Sequence, residues 1–198
     1  MGTANMWLIS GFYNNFISAG YGNYSTPIIE IFAHSNSSNY NDFGGFFNYH
    51  SSGGGIDGLV LNDGEARMLT GEQNLIRAGA ALQMMGPKYV IIKKGEHGAF
   101  LFTPDERFGL LAYPVDSVVD PTGAGDSFAG GMMGALAAEG SLTPKSIHRA
   151  MAYGTVCASF TVQDFSVRAL EQVTRSEIDA RFAELGDFLS FSPVFSCP

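Results

Sequence analysis

The sequence predicts an α/β fold, a mostly parallel sheet covered by helices, and three observations carry that expectation. Short apolar runs such as Gly58-Leu59-Val60-Leu61 and Tyr89-Val90-Ile91-Ile92 alternate with segments of helical spacing. Helix starts and stops are marked by Asn74, by Thr143-Pro144 and by Gly71. The chain has 198 residues, 45% hydrophobic and only 15% charged, enough apolar material for one domain with a sizeable core.

Taken in order, residues 1–55 stand apart from 56–198. They contain no Lys or Arg, only Glu30 and Asp42 as acids, and twelve aromatic residues among many Asn, Ser and Gly. Pro27-Ile28-Ile29-Glu30-Ile31-Phe32 has strand character, but the run from His34 to Gly55 reads as loop or low-complexity chain, and poor order is expected there. From Ile56 the pattern changes. Gly58–Leu61 forms a buried strand, followed by a helix from Asn62 to a glycine stop at Gly71. Asn74 caps a second helix through Met85, with Leu75, Ala78, Leu82 and Met85 on one face. Tyr89–Ile92 and Ala99–Phe102 pair around the turn Gly95-Glu96-His97-Gly98, and a further short strand covers Leu110–Tyr113. Helices then begin near Ala124, at Pro144 through about Phe160, and at Arg175 through Leu189.

The formal net charge of −8 argues against a nucleic-acid or anionic-membrane partner, which needs clustered Lys and Arg. No stretch is long and apolar enough to span a bilayer, and the start lacks a basic, cleavable secretory leader. Close packing of a helix on a sheet accounts for Gly130 and Gly134. Cys157 and Cys197 lie far apart, without metal or disulfide spacing, and a reducing cytoplasm fits them. His97 and His148 likewise have no partner at metal spacing.

The chemistry concentrates in Asp120-Pro121-Thr122-Gly123-Ala124-Gly125-Asp126-Ser127-Phe128. Pro121 biases Asp120 towards extended backbone, and the glycines permit a sharp turn. A helix starting at Ala124 leaves the N–H groups of residues 123 to 126 without helical partners, at the positive end of its dipole. That is an anion site. Asp126 in the first turn could accept a proton from an attacking hydroxyl, although an aspartate there is also an ordinary cap. No Lys-Ser or Lys-Thr follows the glycines, so this is not a Walker loop, nor is it the G-x-G-x-x-G dinucleotide pattern. A second stretch, Asn62-Asp63-Gly64-Glu65, places an amide and a carboxylate three apart at a strand end, either as a helix cap or as ligands.

The nine-residue stretch resembles the second signature of the ribokinase (PfkB) family of sugar and nucleoside kinases. The resemblance covers residues 56 to about 185. It implies a three-layer α/β/α, ribokinase-like (Rossmann-like) domain without the family's N-terminal half and lid. It also implies that Asp126 is the catalytic base and that the backbone of Gly123, Ala124 and Gly125 is the anion hole. Asn62 and Glu65 match the family's N-x-x-E motif and are implied to hold Mg2+ through water. Lys93-Lys94-Gly95-Glu96-His97-Gly98 resembles the strand and turn that line the nucleotide, so Asn62, Lys93, Lys94, Gly95, Glu96, Gly98 and Gly125 are implied to bind ATP. The lysine pair departs from the family pattern and is either local charge for ATP or a solvated strand end. Ala150–Phe160 resembles the helix that borders the adenine pocket, and core packing explains its apolar residues equally well.

The expected activity is transfer of a phosphoryl group from ATP to a hydroxyl of a sugar or nucleoside. An acceptor site cannot be matched to residues 1–55, which keeps open a catalytically inactive, nucleotide-binding remnant. A sheet cut through its middle would expose an unpaired edge and favour a homo-oligomer. An oxidoreductase domain is disfavoured by the absent G-x-G-x-x-G.

Overall fold

A computed structural model describes residues 29–34, 44–49, 57–165 and 168–190. Six strands form one sheet in chain order: β1 (Ile29–His34), β2 (Gly44–Tyr49), β3 (Gly58–Asn62), β4 (Tyr89–Lys93), β5 (Ala99–Phe102) and β6 (Arg107–Leu110). Among the described residues six helices follow or intervene: α1 (Asp63–Thr70), α2 (Leu75–Met84), α3 (Ala124–Glu139), α4 (Pro144–Thr161), α5 (Arg168–Gln172) and α6 (Arg175–Leu189). Only β3 and β4 are parallel; β1–β2, β2–β3, β4–β5 and β5–β6 are antiparallel. The sheet is therefore mixed, where the sequence predicted a mostly parallel one. The reason is connection length: α1 and α2 provide the crossover a parallel pair needs, whereas the turns at 94–98 and 103–106 are too short for anything but hairpins.

Alternation along the central strands sorts their side chains into two cores. Leu59, Leu61, Val90, Ile92 and Phe102 pack with Ala66 of α1 and Ala78 and Leu82 of α2. Val60, Ile91, Ala99, Leu101 and Leu110 face Phe128 and Met132 of α3, Ile147, Met151 and Val156 of α4, and Ile178 and Leu185 of α6. Helices on both faces make the three-layer α/β/α arrangement and explain why these strands read as continuous apolar runs.

Local chemistry sets most boundaries. Asn62, Asn74, Thr143 and Thr174 each cap a helix through a side-chain oxygen, and Gly71 ends α1 with φ 72°. α3 and α4 approach closely because a Cβ on Gly131 would lie 2.6 Å from Cys157 Sγ, and one on Gly154 would lie 2.5 Å from the Phe128 carbonyl. The close approach of helix to helix thus rests on Gly131 and Gly154. Burial in that seam pushes the Cys157 thiol up to about 12.

Three expectations shift. The expected strand at Leu110–Tyr113 lies three residues earlier, because the Thr103 hydroxyl accepts from the N–H groups of Asp105 (3.2 Å) and Glu106 (3.0 Å) and turns the chain tightly. Residues 44–49, assigned to a loop, form β2 and pair with β3 at Gly45↔Val60. Strand character at 27–32 is found over Ile29–His34. The expectations for the remainder of 1–55, and for Cys197, lie outside the described residues. Among the described residues no helix is long and apolar enough to cross a membrane.

Candidate active site

The parallel pair places Asn62 and Lys93 side by side at the C-terminal ends of β3 and β4. α1 starts immediately, and Asn62 and Glu65 cap it reciprocally. Asn62 Oδ1 accepts from the Glu65 N–H at 2.8 Å, and the Asn62 N–H donates to Glu65 Oε2 at 2.6 Å. The capping arrangement weighed from the sequence is therefore present. The Glu65 charge nevertheless reaches the Lys93 amine.

Strand alternation sends Lys93 to the face of Ile91, towards the start of α3. There Asp120 Oδ1 accepts the Thr122 N–H at 2.9 Å, the Ala124 N–H donates to the Pro121 carbonyl at 3.2 Å, and Gly123 turns the chain with φ 84°. Helical pairing begins with the Ser127 N–H, which donates to the Gly123 carbonyl at 2.9 Å. Of the expected anion hole, the Ala124 N–H is engaged in the turn, whereas Gly125 and Asp126 follow it in the first helical turn, where no i−4 carbonyl of the helix is available. A Cβ added to Gly125 would lie 2.9 Å from Lys93 Nζ. The absent side chain at Gly125 is what lets the amine rest on the helix start.

Asp126 shares this first turn. Burial raises its carboxyl above the ordinary aspartate value, and the Lys93 charge partly opposes that rise. Burial lowers the Lys93 amine, and Glu65 and Asp126 partly oppose it. A buried amine at the positive end of a helix dipole is electrostatically expensive, and a bound anion relieves it. The arrangement can hold a phosphate and present a carboxylate to a hydroxyl beside it. Glu65 and Asn62 supply hard oxygen donors of the kind magnesium accepts together with water and phosphate, so the residues present fit that ion.

The other expected nucleotide residues are placed differently. Lys94 points to the opposite face, its Nζ 3.8 Å from the Phe100 ring centroid. Gly95–His97 form an exposed 3-10 turn, with the Glu96 carboxylate 3.7 Å from His97 Nε2. Gly98 has φ 84°, and a Cβ there would lie 2.0 Å from the Leu110 carbonyl, so the hairpin itself requires glycine. Supporting residues went unnoticed in the sequence. Thr161 Oγ1 donates to Ser127 Oγ at 2.7 Å, buried beside the first turn of α3, and the Val162 carbonyl accepts the Val119 N–H at 2.7 Å. Only Asp120-x-Thr122, a side-chain turn spacing, gave a signal.

Residues 48–173 match the family model described as pfkB family carbohydrate kinase, and the chain belongs to that family. Cytidine kinase from Thermococcus kodakarensis is 40% identical over 79 residues, which are 39% of this chain and 28% of that protein. Among solved structures, Arabidopsis thaliana ribokinase complexed with ribose and ATP matches with a TM-score of 0.56 and 28% identity over 64% of this chain and 41% of its own. A ribokinase II-type protein from E. coli in complex with ATP and Mg2+ matches with a TM-score of 0.54 and 31% identity, over 65% of this chain and 39% of its own. The fold is thus ribokinase-like, and the chain spans less than half the length of these relatives.

Proposed function

We propose that residues 56–198 form the ATP side of a PfkB-type carbohydrate or nucleoside kinase, transferring the γ-phosphoryl group of ATP to a hydroxyl of a sugar or nucleoside. The observation that carries this reading is the seating of Lys93 Nζ against Gly125, in the helical turn that holds Asp126. Asp126 takes the proton of the acceptor hydroxyl as its oxygen attacks phosphorus. The new O–P bond forms as the bond to the β-phosphate oxygen breaks, and ADP leaves. The Lys93 amine and the N–H groups of Gly125 and Asp126 stabilise charge on the transferred group. Glu65 and Asn62 would hold magnesium, which when bound neutralises phosphate charge. Lys94, turned onto Phe100, has a smaller part than Lys93.

Phosphate transfer from Mg·ATP to ribose, fructose and cytidine, followed by phosphorus NMR, tests the reading. Asp126→Asn is expected to lose about 10²- to 10⁴-fold in rate while keeping nucleotide binding. Transfer at the wild-type rate in that variant would refute it. The second reading is nucleotide binding without catalysis, favoured by a site whose described groups, Lys93 and the turn at Gly125, face an anion. Mg·ATP binding with no transfer to any acceptor would select it.

A further inference from the structure

Three elements converge on the half-buried guanidinium of Arg181, on α6. Its Nη1 donates to Ser159 Oγ at 3.0 Å and to Gln163 Oε1 at 2.8 Å, at the end of α4. Its Cζ lies 3.5 Å from the Phe160 ring centroid and 4.9 Å from that of Tyr113. Tyr113 also donates its hydroxyl hydrogen to Glu184 Oε2 at 2.6 Å, near Arg181 on the same helix. Tyr113 stands near the beginning of the segment 111–122, which has neither helix nor strand and exposes Leu111, Val118 and Val119. At the other end of that segment the N–H groups of Val119 and Asp120 donate to the Val162 carbonyl at 2.7 and 3.4 Å. Val162 sits between Phe160 and Gln163, two of the residues Arg181 holds. Asp120 then fixes Thr122 and opens the turn into α3.

Both fastenings of this long segment therefore run through the end of α4 that Arg181 grips. A long segment without regular structure and with apolar side chains in solvent keeps one conformation only where it is tied. We propose that Arg181 is a positioning residue, which sets the segment 111–122, and with it Asp126 and the first turn of α3, relative to a bound phosphoryl group. A planar guanidinium can stack on two rings while donating in its own plane; a lysine keeps the charge but, as a compact ammonium, does not combine a planar stack with in-plane donation. The inference rests on the reading of Asp126 as base.

The test uses the full chain with Arg181→Gln, Arg181→Lys and Tyr113→Leu, the last removing the ring from the loop side. Transfer kinetics and Mg·ATP titration are paired with amide hydrogen exchange at Val119 and Asp120. Both Arg181 variants are expected to lower kcat about 10- to 100-fold, since small displacements of a reacting group are costly. Nucleotide Kd should stay within about 3-fold, because binding and chemistry separate when only placement is lost. Exchange at Val119 and Asp120 should accelerate, and Tyr113→Leu should do the same. The double variant Arg181→Gln/Tyr113→Leu should be no worse than either single change, as for two parts of one clasp. An unchanged kcat in Arg181→Gln, additive losses, or a lower melting temperature with unchanged Val119 exchange would each overturn the proposal. If the wild-type chain transfers to no acceptor, the proposed function fails on its own. The exchange experiment still decides on Arg181, and unchanged protection in Arg181→Gln refutes it.

Discussion

Gly125→Ala separates the fold from the site. Gly125 lies inside α3 rather than at a positive φ, so an alanine fits the backbone, and among the described residues only the Lys93 side chain stands within 4 Å of the added methyl, the helix's own backbone aside. Its Nζ would be 2.9 Å away and its Cε 4.0 Å, so the flexible amine end must move while the helix need not. Alanine for glycine in a helix stabilises by roughly 0.5–1 kcal/mol, and displacing the amine offsets part of that. The melting temperature should therefore change by no more than about 4 °C, given about 2–4 °C per kcal/mol for a chain of this size. The amine, however, no longer reaches an anion at the helix start. A charge-assisted hydrogen bond contributes about 1.5–3 kcal/mol, so affinity for Mg·ATP should fall roughly 10- to 150-fold. Thermal unfolding and calorimetric titration on the same preparation read both quantities. Wild-type affinity in a stable Gly125→Ala chain would refute the role given to Lys93. A fall in melting temperature of about 10 °C would show instead that the fold itself needs glycine there, since it exceeds what a displaced side-chain tip explains.

Three other predictions concern proton linkage and the helix seam. Because the Asp126 carboxyl is raised in the folded protein, its favourable contribution is present below the ordinary value of 3.8 and is lost as pH rises through the raised folded value. Asp126→Asn should therefore be more stable than wild type at pH 7, an advantage that disappears near pH 3, and equal stability at both pH values would contradict it. The acid limb of wild-type phosphate transfer should lie above the ordinary aspartate range, where the base first loses its proton; a limb at that range would contradict the burial assigned to Asp126. Gly154→Ala places a methyl 2.5 Å from the Phe128 backbone carbonyl, which cannot rotate away. It should destabilise by about 1–3 kcal/mol in denaturant unfolding, and an unchanged midpoint would contradict the close approach of α3 and α4.

The parts legible in the sequence are those where one residue settles a local question. Asn74 and Thr143-Pro144 supply a capping oxygen or a preset φ, and α2 and α4 begin where those residues place them. The signature told where α3 starts, for the same reason. Pairings over distance were harder. Gly44–Tyr49 sits in a run rich in Asn, Ser and Gly, which hid its strand-favouring Phe46, Phe47 and Tyr49, and it pairs with β1 on one side and β3 on the other. The start of β6 depended on the Thr103 hydroxyl, which propensity does not register. At the site, Lys93 and Lys94 looked equivalent side by side. Extending the alternation of Val90, Ile91 and Ile92 by two residues would have put them on opposite faces, Lys93 against Gly125 and Lys94 over Phe100. The Arg181 clasp joins residues 113, 159, 163 and 181, and nothing in their spacing announces it.

The start of α3 as the phosphate site is tested most directly by nitrogen–proton correlation spectra of the chain titrated with Mg·ATP, for wild type and Lys93→Met. The amides of Gly125 and Asp126 are expected to shift saturably in wild type, with affinity about 10-fold or more weaker in Lys93→Met, as loss of one charge-assisted contact requires. Saturable shifts confined to the exposed turn at 95–97, with Gly125 and Asp126 unmoved, would contradict the site.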